Sequence, residues 1–405
     1  MMNTRINPAW IQAISEILEE VFAHGRKADK AMEQLFSANR KYGRNDRAFI
    51  AESAYEIIRY WRLWHYLLER EPGFRKKELW EVFGVYWLSA GNGLPDWSEF
   101  KDLQKKDFRS RMREAEQKPE IRYSVGDELQ QRALAQLDTE RWTRELAAMN
   151  EPADLILRCN ILKNSVAELQ KNLAAEGIQT RQTPFTPYAL ICERRWNVFS
   201  SPLFRAGCFE VQDAGSQKIA EFCAVKPGMT VIDACAGAGG KSLFLAAEMQ
   251  NKGRILSMDT EAWKLEELKK RAARAGIDTI QTEQIRGLAG IKNKEDRADV
   301  LLLDVPCSGS GVLKRNPDAK YRITNSFVDE LKLLQGYILK EYARMVKPGG
   351  ALVYATCSLL PEENQEQTQA FLLENKNFEP VSEQTVYPSE QGFDGFYMSR
   401  MIRKV

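Results

Sequence analysis

The second half of the chain, from about residue 205 to residue 405, alternates short apolar segments with longer amphipathic ones. Four of the segments are short and almost continuously apolar, as strands of a buried parallel sheet are: TVIDAC, GRILSMD, ADVLLLD and GALVYAT. The segments between them space apolar residues at three and four, which predicts helices: KSLFLAAEMQ, EAWKLEELKKRAARAG and SFVDELKLLQGYILKEYARMV. This alternation predicts a doubly wound α/β domain, which binds ligands beyond the carboxyl ends of its strands.

Two other patterns precede this domain. Residues 1–145 repeat apolar residues at helical spacing and contain no glycine-rich turn of catalytic type, which predicts a helical domain used for docking. Residues 150–205 contain a strand-like segment, an amphipathic helix closed by glycine, and a second strand-like segment. We therefore predict three domains: a helical domain (1–145), a small α+β subdomain (150–205) and the α/β domain (206–405).

The scarcity of histidine and the scatter of cysteine limit the possible chemistry. His24 and His65 are the only histidines, and both lie far upstream of the glycine-rich motifs. The seven cysteines include no CxxC pair, which argues against a zinc site and against a disulfide framework. We expect no metal site and no histidine base.

The expected compartment and partners follow from charge and hydropathy. The N-terminus carries charges throughout, and no run approaches the roughly 18 to 20 apolar residues of a membrane span, so we expect a cytoplasmic protein without membrane contact. The formal net charge is only +2, but basic residues cluster at 40–47, 101–113 and 314–322. A single such cluster is usually a solvated helix face, whereas three clusters beside aromatic residues modestly favour contact with RNA or DNA.

The glycine-rich turn DACAGAGGKS (233–242) could bind either of two kinds of ligand, a phosphate or a nucleoside. Its Gly-Lys-Ser ending resembles a phosphate-binding P-loop, but Cys235 occupies the position at which that loop requires glycine. The alternative is a nucleoside-binding turn, in which a second acidic residue about 20 positions later binds the ribose. Asp259 lies 26 residues after Asp233 and ends the next strand. Nucleoside binding is therefore favoured, with a purely structural turn as the remaining alternative.

Two cysteines follow adjacent predicted strands, Cys307 in LLLDVPCSGSG and Cys357 in LVYATCSLL. Both could be buried structural residues, but two at neighbouring strand ends favour a chemical role. A thiolate that adds to C6 of cytosine makes C5 able to attack an electrophilic methyl group. A nearby acid, here Asp304, could stabilise this adduct at N3, and a second thiol could assist its release.

The motifs together resemble those of the Sun-type RNA (cytosine-5) methyltransferases, in particular the bacterial ribosomal small-subunit methyltransferase B type. The resemblance rests on five stretches within residues 150–405: VQDAGSQ, DACAGAGGKS, LLLDVPCSGSGVLKRNPDAKYR, YATCSLLPEENQ and GFDGFYMSRM. Upstream, RNDRAFIAESAYEIIRYW resembles the NusB-like RNA-binding domain of that group more loosely. The resemblance implies a Rossmann-like fold, S-adenosylmethionine (SAM) as cofactor, an RNA substrate, and methylation of cytosine in 16S ribosomal RNA.

The same resemblance implies a role for individual residues. Cys357 would be the nucleophile, Cys307 would assist product release, and Asp304 would hold the target base beside the methyl donor. Asp259 would bind the ribose of SAM, and Gln212 and Asp213 would shape the far side of the cofactor pocket. The glycine turn would line SAM through Cys235, Ala236, Gly237, Ala238, Gly239, Gly240 and Lys241.

The chain departs from the family pattern at two places. Ala238 stands where the family usually has proline, which changes the stiffness of the turn. The acidic residue expected after the third strand is missing, which leaves the adenine contact open among Glu283, Ile285 and Arg286.

Other functions remain possible on the sequence alone. The same chemistry could act on transfer RNA, or the chain could be a non-catalytic ribosome-assembly factor, and an ATP-binding P-loop protein is a more distant alternative. We expect a monomer.

Overall fold

The computed structural model describes residues 6–405, with the side chain of residue 105 left out. The chain divides into two compact units. In the described part of the chain, the helical unit comprises residues 6–150 together with Leu313–Thr324, and the α/β unit comprises Glu151–Val312 and Asn325–Val405.

The first part of the chain is helical, as the spacing of its apolar residues predicts. The side chain of Asn7 caps the first helix by accepting a hydrogen bond from Ala9 N at 2.9 Å, and Pro8 occupies the first helical position. One core contains the buried faces of the long helices. The helices are α1 (Pro8–Phe22), α2 (Ala28–Ala38), α3 (Arg44–Arg59), α4 (Trp61–Leu68), α5 (Lys76–Ser89), α6 (Arg109–Glu116), α7 (Pro119–Arg122), α8 (Asp127–Leu134) and α9 (Thr139–Met149).

A short segment from the second half of the sequence also belongs to the helical unit. Residues 313–324 lie between a strand and a helix of the α/β unit in sequence, but they pack with the helical unit. The Nζ of Lys320 donates to Arg59 O at 2.7 Å, to Tyr123 O at 2.8 Å and to Asn150 Oδ1 at 2.8 Å. Three acceptors match the three donors of an ammonium group. Because Lys320 is only 2% exposed, it is unavailable for the nucleic-acid contact that its basic cluster suggests.

The α/β unit begins with a small antiparallel sheet. The sequence predicts its first strand, its helix and its third strand, but not the short polar second strand or the three-residue fourth one. The strands lie in the order β2-β3-β1-β4. The elements are β1 (Ile156–Cys159), α10 (Val166–Ala175), β2 (Thr180–Thr183), β3 (Thr186–Cys192), α11 (Pro202–Arg205) and β4 (Phe209–Val211).

The described residues after β4 form a Rossmann-like sheet of seven strands in the order β10-β11-β9-β8-β5-β6-β7. Strands β5 to β9 pair in parallel, and β11 and β10 add to β9 in antiparallel fashion. The elements are α12 (Ala214–Phe222), β5 (Thr230–Asp233), α13 (Gly240–Glu248), β6 (Arg254–Asp259), α14 (Ala262–Ala275), β7 (Ile280–Gln284), α15 (Leu288–Lys292), β8 (Ala298–Asp304), α16 (Asn325–Tyr342), β9 (Val346–Thr356), α17 (Gln365–Glu374), β10 (Phe378–Val386), α18 (Pro388–Gln391) and β11 (Phe396–Arg403).

Helices cover both faces of this sheet, which explains its apolar strands. Val231 and Leu302 belong to one hydrophobic core, whereas Ile232 and Leu301 belong to the core on the opposite face. The doubly wound fold predicted from the alternation is therefore confirmed. Within residues 6–405, no helix is long and apolar enough to cross a membrane.

The contacts of Lys320 predict that replacing it by an uncharged residue will destabilise the protein. Lys320→Met should lower the free energy of unfolding by about 2 kcal/mol, because three buried oxygen acceptors lose their donor. Urea denaturation monitored by tryptophan fluorescence measures the change. Lys30→Met is the matched control, since the Lys30 side chain is 60% exposed and should change stability by less than about 0.5 kcal/mol. Equal effects of the two substitutions would contradict the anchoring role.

Candidate active site

Parallel pairing brings the polar ends of four strands to one edge of the sheet. Asp233 at the end of β5 is opposite Leu302 of β8, and Asp304 at the end of β8 is opposite Ala355 of β9. Asp259 ends the neighbouring strand β6. Cys357 directly follows β9. The carboxyl edge of the sheet therefore collects three carboxylates and a thiol, in agreement with the rule for ligand sites in such sheets.

The glycine turn between β5 and α13 is held in one conformation by its surroundings. Gly237 and Gly239 have φ angles of 54° and 83°, and a Cβ at Gly239 would collide with the side chain of Leu268. The amide of Gly237 donates to Asp259 Oδ2 at 2.9 Å, and Arg271 Nη1 donates to Ala238 O at 2.7 Å. The turn and the end of β6 are thus linked directly through the Asp259 carboxylate.

Asp233 is a buried carboxylate with an unused acceptor. It is 1% exposed, and its Oδ2 accepts a hydrogen bond from Ser242 Oγ at 2.6 Å. Its Oδ1 has no partner among the described residues. Burial raises the pKa of Asp233 to about 6, although the hydrogen bond from Ser242 opposes this rise. An unpaired carboxylate oxygen in such a place suits a positively charged ligand group.

Lys241 forms an ion pair with Asp304. Its Nζ lies 2.5 Å from Asp304 Oδ2. Burial by itself would lower the pKa of Lys241, but the attraction of Asp304 and the hydrogen bond to it outweigh burial and raise that pKa. The lysine of the Gly-Lys-Ser ending is therefore engaged with a carboxylate, where a P-loop would require it to meet a phosphate.

A cavity of about 60 Å³ lies between the turn and the end of β8. Its lining includes six residues predicted to bind the cofactor or shape its pocket, together with Asp233 and Ser216: Gln212, Ser216, Asp233, Cys235, Ala236, Gly240, Lys241 and Asp304. The other predicted residues do not line this cavity. Gly237, Gly239 and Asp259 shape the turn beside it, and the Asp213 side chain instead caps α12 by accepting from Gly215 N at 2.8 Å.

One buried arginine at this site escapes prediction from the sequence. Arg158 in β1 is 3% exposed, and its Nη1 donates to Gly240 O at 2.5 Å and to the side chain of Gln212. It thereby fixes the first residue of α13 and one wall of the cavity. The only signal in the sequence is a charged residue inside the apolar strand ILRC, which is unusual unless the charge is paired.

The two predicted cysteines are neighbours. Their Sγ atoms are 3.1 Å apart, and the backbone N–H of Cys357 donates to Cys307 Sγ at 3.2 Å. The hydrogen bond with Cys357 and burial raise the pKa of Cys307 well above its usual value. Both effects favour the thiol form of Cys307.

The three candidates for the adenine contact lie at the end of β7 or directly after it. Glu283 forms an ion pair with Lys294 at 2.6 Å, and Arg286 Nε donates to Gln284 Oε1 at 3.1 Å. The backbone N–H of Ile285 donates to Asp259 O at 2.9 Å, which brings Ile285 beside the predicted ribose residue. Of the three candidates, Ile285 lies next to Asp259 and offers an apolar surface.

Comparison with known proteins identifies a family that the chain resembles. The family model described as 16S rRNA methyltransferase RsmB/F matches residues 220–402, and the model of the RsmF/B-like ferredoxin-like domain matches residues 129–199. Both models describe parts of the RsmB/F methyltransferase family, and the chain is similar to that family over these residues. This similarity confirms the resemblance seen in the motifs.

Individual curated relatives match 62% to 66% of the chain. The chain is 34% identical over 291 residues to a probable ribosomal RNA small subunit methyltransferase B of Synechocystis, a match that covers 66% of this chain and 65% of that protein. The corresponding protein of Bacillus subtilis is 34% identical over 62% of this chain and 60% of its own length. These matches span less than two thirds of the curated relatives.

Two solved structures share the fold. PH0851 aligns with a TM-score of 0.80 and 25% identity over 98% of this chain and 99% of its own. A methyltransferase homolog from Pyrococcus horikoshii aligns with a TM-score of 0.62 and 29% identity over 71% of this chain and 98% of its own.

The burial of Asp233 predicts a pH-dependent stability change. A carboxyl group whose pKa is raised in the folded state favours folding at low pH, and it loses that contribution as pH rises from about 4 to about 6. Asp233→Asn should therefore raise the free energy of unfolding by about 2 kcal/mol at pH 7.5, and by much less at pH 4. Urea denaturation of both proteins at the two pH values tests this. A stability difference that does not depend on pH would refute it.

Proposed function

We propose that the chain is a SAM-dependent RNA (cytosine-5) methyltransferase that acts on the RNA of the small ribosomal subunit and forms a covalent adduct through Cys357. The observation that carries the proposal is the pair of cysteine sulfurs 3.1 Å apart at the same sheet edge as Asp304 and Lys241. The names of the curated relatives, which refer to the small-subunit ribosomal RNA, support the choice of substrate.

The residues at the turn fit SAM. When bound, SAM supplies an electrophilic methyl group. Asp233 Oδ1, which has no partner within the described chain, would accept a hydrogen bond from the ammonium of the methionine part. The Asp259 carboxylate already accepts from two backbone N–H groups, those of Gly237 and Glu261, and would accept from the ribose hydroxyls with its remaining lone pairs. The turn from Cys235 to Lys241 would line the space between them.

In the proposed first step, the Cys357 thiolate adds to C6 of the flipped cytosine and forms a C–S bond. Electrons move toward N3, and C5 becomes nucleophilic toward the methyl group. The Lys241 ammonium paired with Asp304 would offset the negative charge that develops on the ring, and the Asp304 carboxylate would accept a hydrogen bond from N3 once N3 has taken up a proton from water. The low exposure of the lysine strengthens this electrostatic contribution.

In the proposed release step, C5 loses its proton to a base and the C5=C6 double bond reforms. The C6–S bond breaks, and Cys357 leaves as a thiolate. The Cys307 thiol, which keeps its proton, would donate a hydrogen bond to the departing sulfur. Without that donor the departing thiolate is less stable, so release should slow more than addition.

Methylation assays distinguish this proposal from its alternatives. With labelled SAM, we expect 5-methylcytosine in 16S RNA, presented either free or in small subunits, and none in transfer RNA. Label confined to transfer RNA would support the transfer-RNA alternative. Calorimetry should detect SAM binding. Its absence would favour a non-catalytic assembly factor, and binding of ATP without binding of SAM would revive the P-loop interpretation.

Substitution of each cysteine tests the assigned roles. Cys357→Ala should reduce methylation more than about 1,000-fold, because no nucleophile remains. Cys307→Ala should instead accumulate a protein–RNA adduct that survives denaturing electrophoresis. Cys208→Ala is the matched control, since Cys208 is also partly exposed but lies in the small sheet region. Full activity of the Cys357 variant would overturn the mechanism.

A further inference from the structure

A buried carboxylate lies behind the two cysteine loops and belongs to none of the roles assigned above. Glu363 is 0% exposed and ends the short turn Pro361–Glu363 that follows Cys357 in sequence. No salt bridge to it occurs within the described residues. A buried carboxylate without a cation is costly unless several hydrogen-bond donors surround it.

The donors that surround Glu363 come from both cysteine loops. Ser308, next to Cys307, donates its backbone N–H to Oε1 at 2.8 Å and its hydroxyl to Oε2 at 2.5 Å. Ser358, next to Cys357, donates its hydroxyl to the same Oε2 at 2.5 Å. One carboxylate oxygen is therefore shared by the residues that directly follow the two cysteines.

A third element joins this arrangement from helix α16. Gln335 is 0% exposed, and its Nε2 donates to Glu363 Oε1 at 3.0 Å and to Pro306 O at 2.9 Å. Pro306 is the residue before Cys307, so the loop is held on both sides of that cysteine. The backbone of Glu363 is fixed as well, because the Tyr354 hydroxyl donates a hydrogen bond to Glu363 O at 2.6 Å.

From these contacts we infer that Glu363 is a positioning residue that holds the Cys307 and Cys357 loops together, so that the two sulfurs stay in hydrogen-bond contact. Its catalytic consequence rests on the proposed function, whereas its effect on the sulfur separation does not. Glu363 acts through the cysteines, because its oxygens accept hydrogen bonds from loop donors and its side chain is fully buried.

The electrostatics agree with the geometry. The hydrogen bond with Cys357, burial and the charge of Cys357 are the largest causes of the raised pKa of Cys307. The negative charge of Glu363 raises this pKa further. The carboxylate therefore adds to the rise in the pKa of Cys307 while it holds its loop. A neutral residue of the same shape would weaken both effects, which makes Glu363→Gln the informative substitution.

Oxidation by diamide measures the sulfur separation without any RNA. Two thiols in contact lose two hydrogens to diamide, which is reduced to its hydrazine, and an S–S bond forms between Cys307 and Cys357. We expect rapid formation of this disulfide in the wild-type chain, read by peptide mass spectrometry. Glu363→Gln should form it at least about tenfold more slowly, and Ser308→Ala should slow it in the same direction, because each removes part of the link between the loops.

Activity supplies the second readout. Glu363→Gln should lower kcat for RNA methylation about 10- to 100-fold and leave the KM for SAM within about twofold, because small displacements of reacting groups reduce the chemical step. Calorimetric SAM binding and an unchanged near-ultraviolet circular dichroism spectrum verify that the variant is folded. Glu362→Gln is the matched control, since Glu362 is also buried but pairs with Lys332 at 2.8 Å. It should form the disulfide at the wild-type rate.

The outcomes separate this inference from the proposed function. A wild-type chain that forms no Cys307–Cys357 disulfide, or a Glu363→Gln variant that forms it at the wild-type rate, would overturn the inference. A folded variant with wild-type kcat would overturn its catalytic consequence. If the wild type methylates no RNA but the disulfide rates differ as expected, the positioning role stands and the proposed function fails.

Discussion

The parallel hydrogen-bond ladder through β5, β8 and β9 is the constraint on which the site depends. It sets Asp304 opposite Ala355 and Asp233 opposite Leu302, so that residues more than 50 positions apart in sequence end at the same height. Because all these strands run in one direction, their following loops must leave on one side of the sheet. The cysteine pair, the glycine turn and the Lys241–Asp304 ion pair are consequences of this arrangement.

Charges buried behind these loops explain how they keep their shape. Arg158 holds the start of α13, Asp259 holds the glycine turn, and Glu363 links the cysteine loops. Each charged group makes several hydrogen bonds, which offsets the desolvation of a buried charge and fixes the direction of each contact. Asp233 differs from the other three because its Oδ1 makes no hydrogen bond in the described chain, and because it lines the small cavity beside the glycine turn.

The sequence predicts the elements whose patterns are strong. The apolar strands β5, β6, β8 and β9 and the amphipathic helices α13, α14 and α16 are predicted correctly, because burial on both faces leaves a continuous apolar signal. Strand β10 escapes prediction, since most of its residues are exposed and polar, as at an edge of the sheet. Strand β4 is too short for any periodicity, and only its pairing with β1 defines it. The cysteines, the glycine turn and Asp304 are predicted from their motifs, whereas Arg158 and Glu363 are not. Nothing in the local sequence indicates which distant groups will form hydrogen bonds with these two side chains.

The sequence by itself determined the fold class, the family motifs and the identity of the reactive residue types, because apolar periodicity and short motifs are local properties. Only the tertiary structure decided which groups meet: that the two thiols touch, that Lys241 pairs with Asp304, and that Lys320 is buried in the helical unit instead of facing solvent. The physical reason is that burial and hydrogen bonding depend on neighbours far apart in the chain. A basic or acidic residue therefore has the same appearance in the sequence whether it binds RNA, balances a reacting group or anchors a loop.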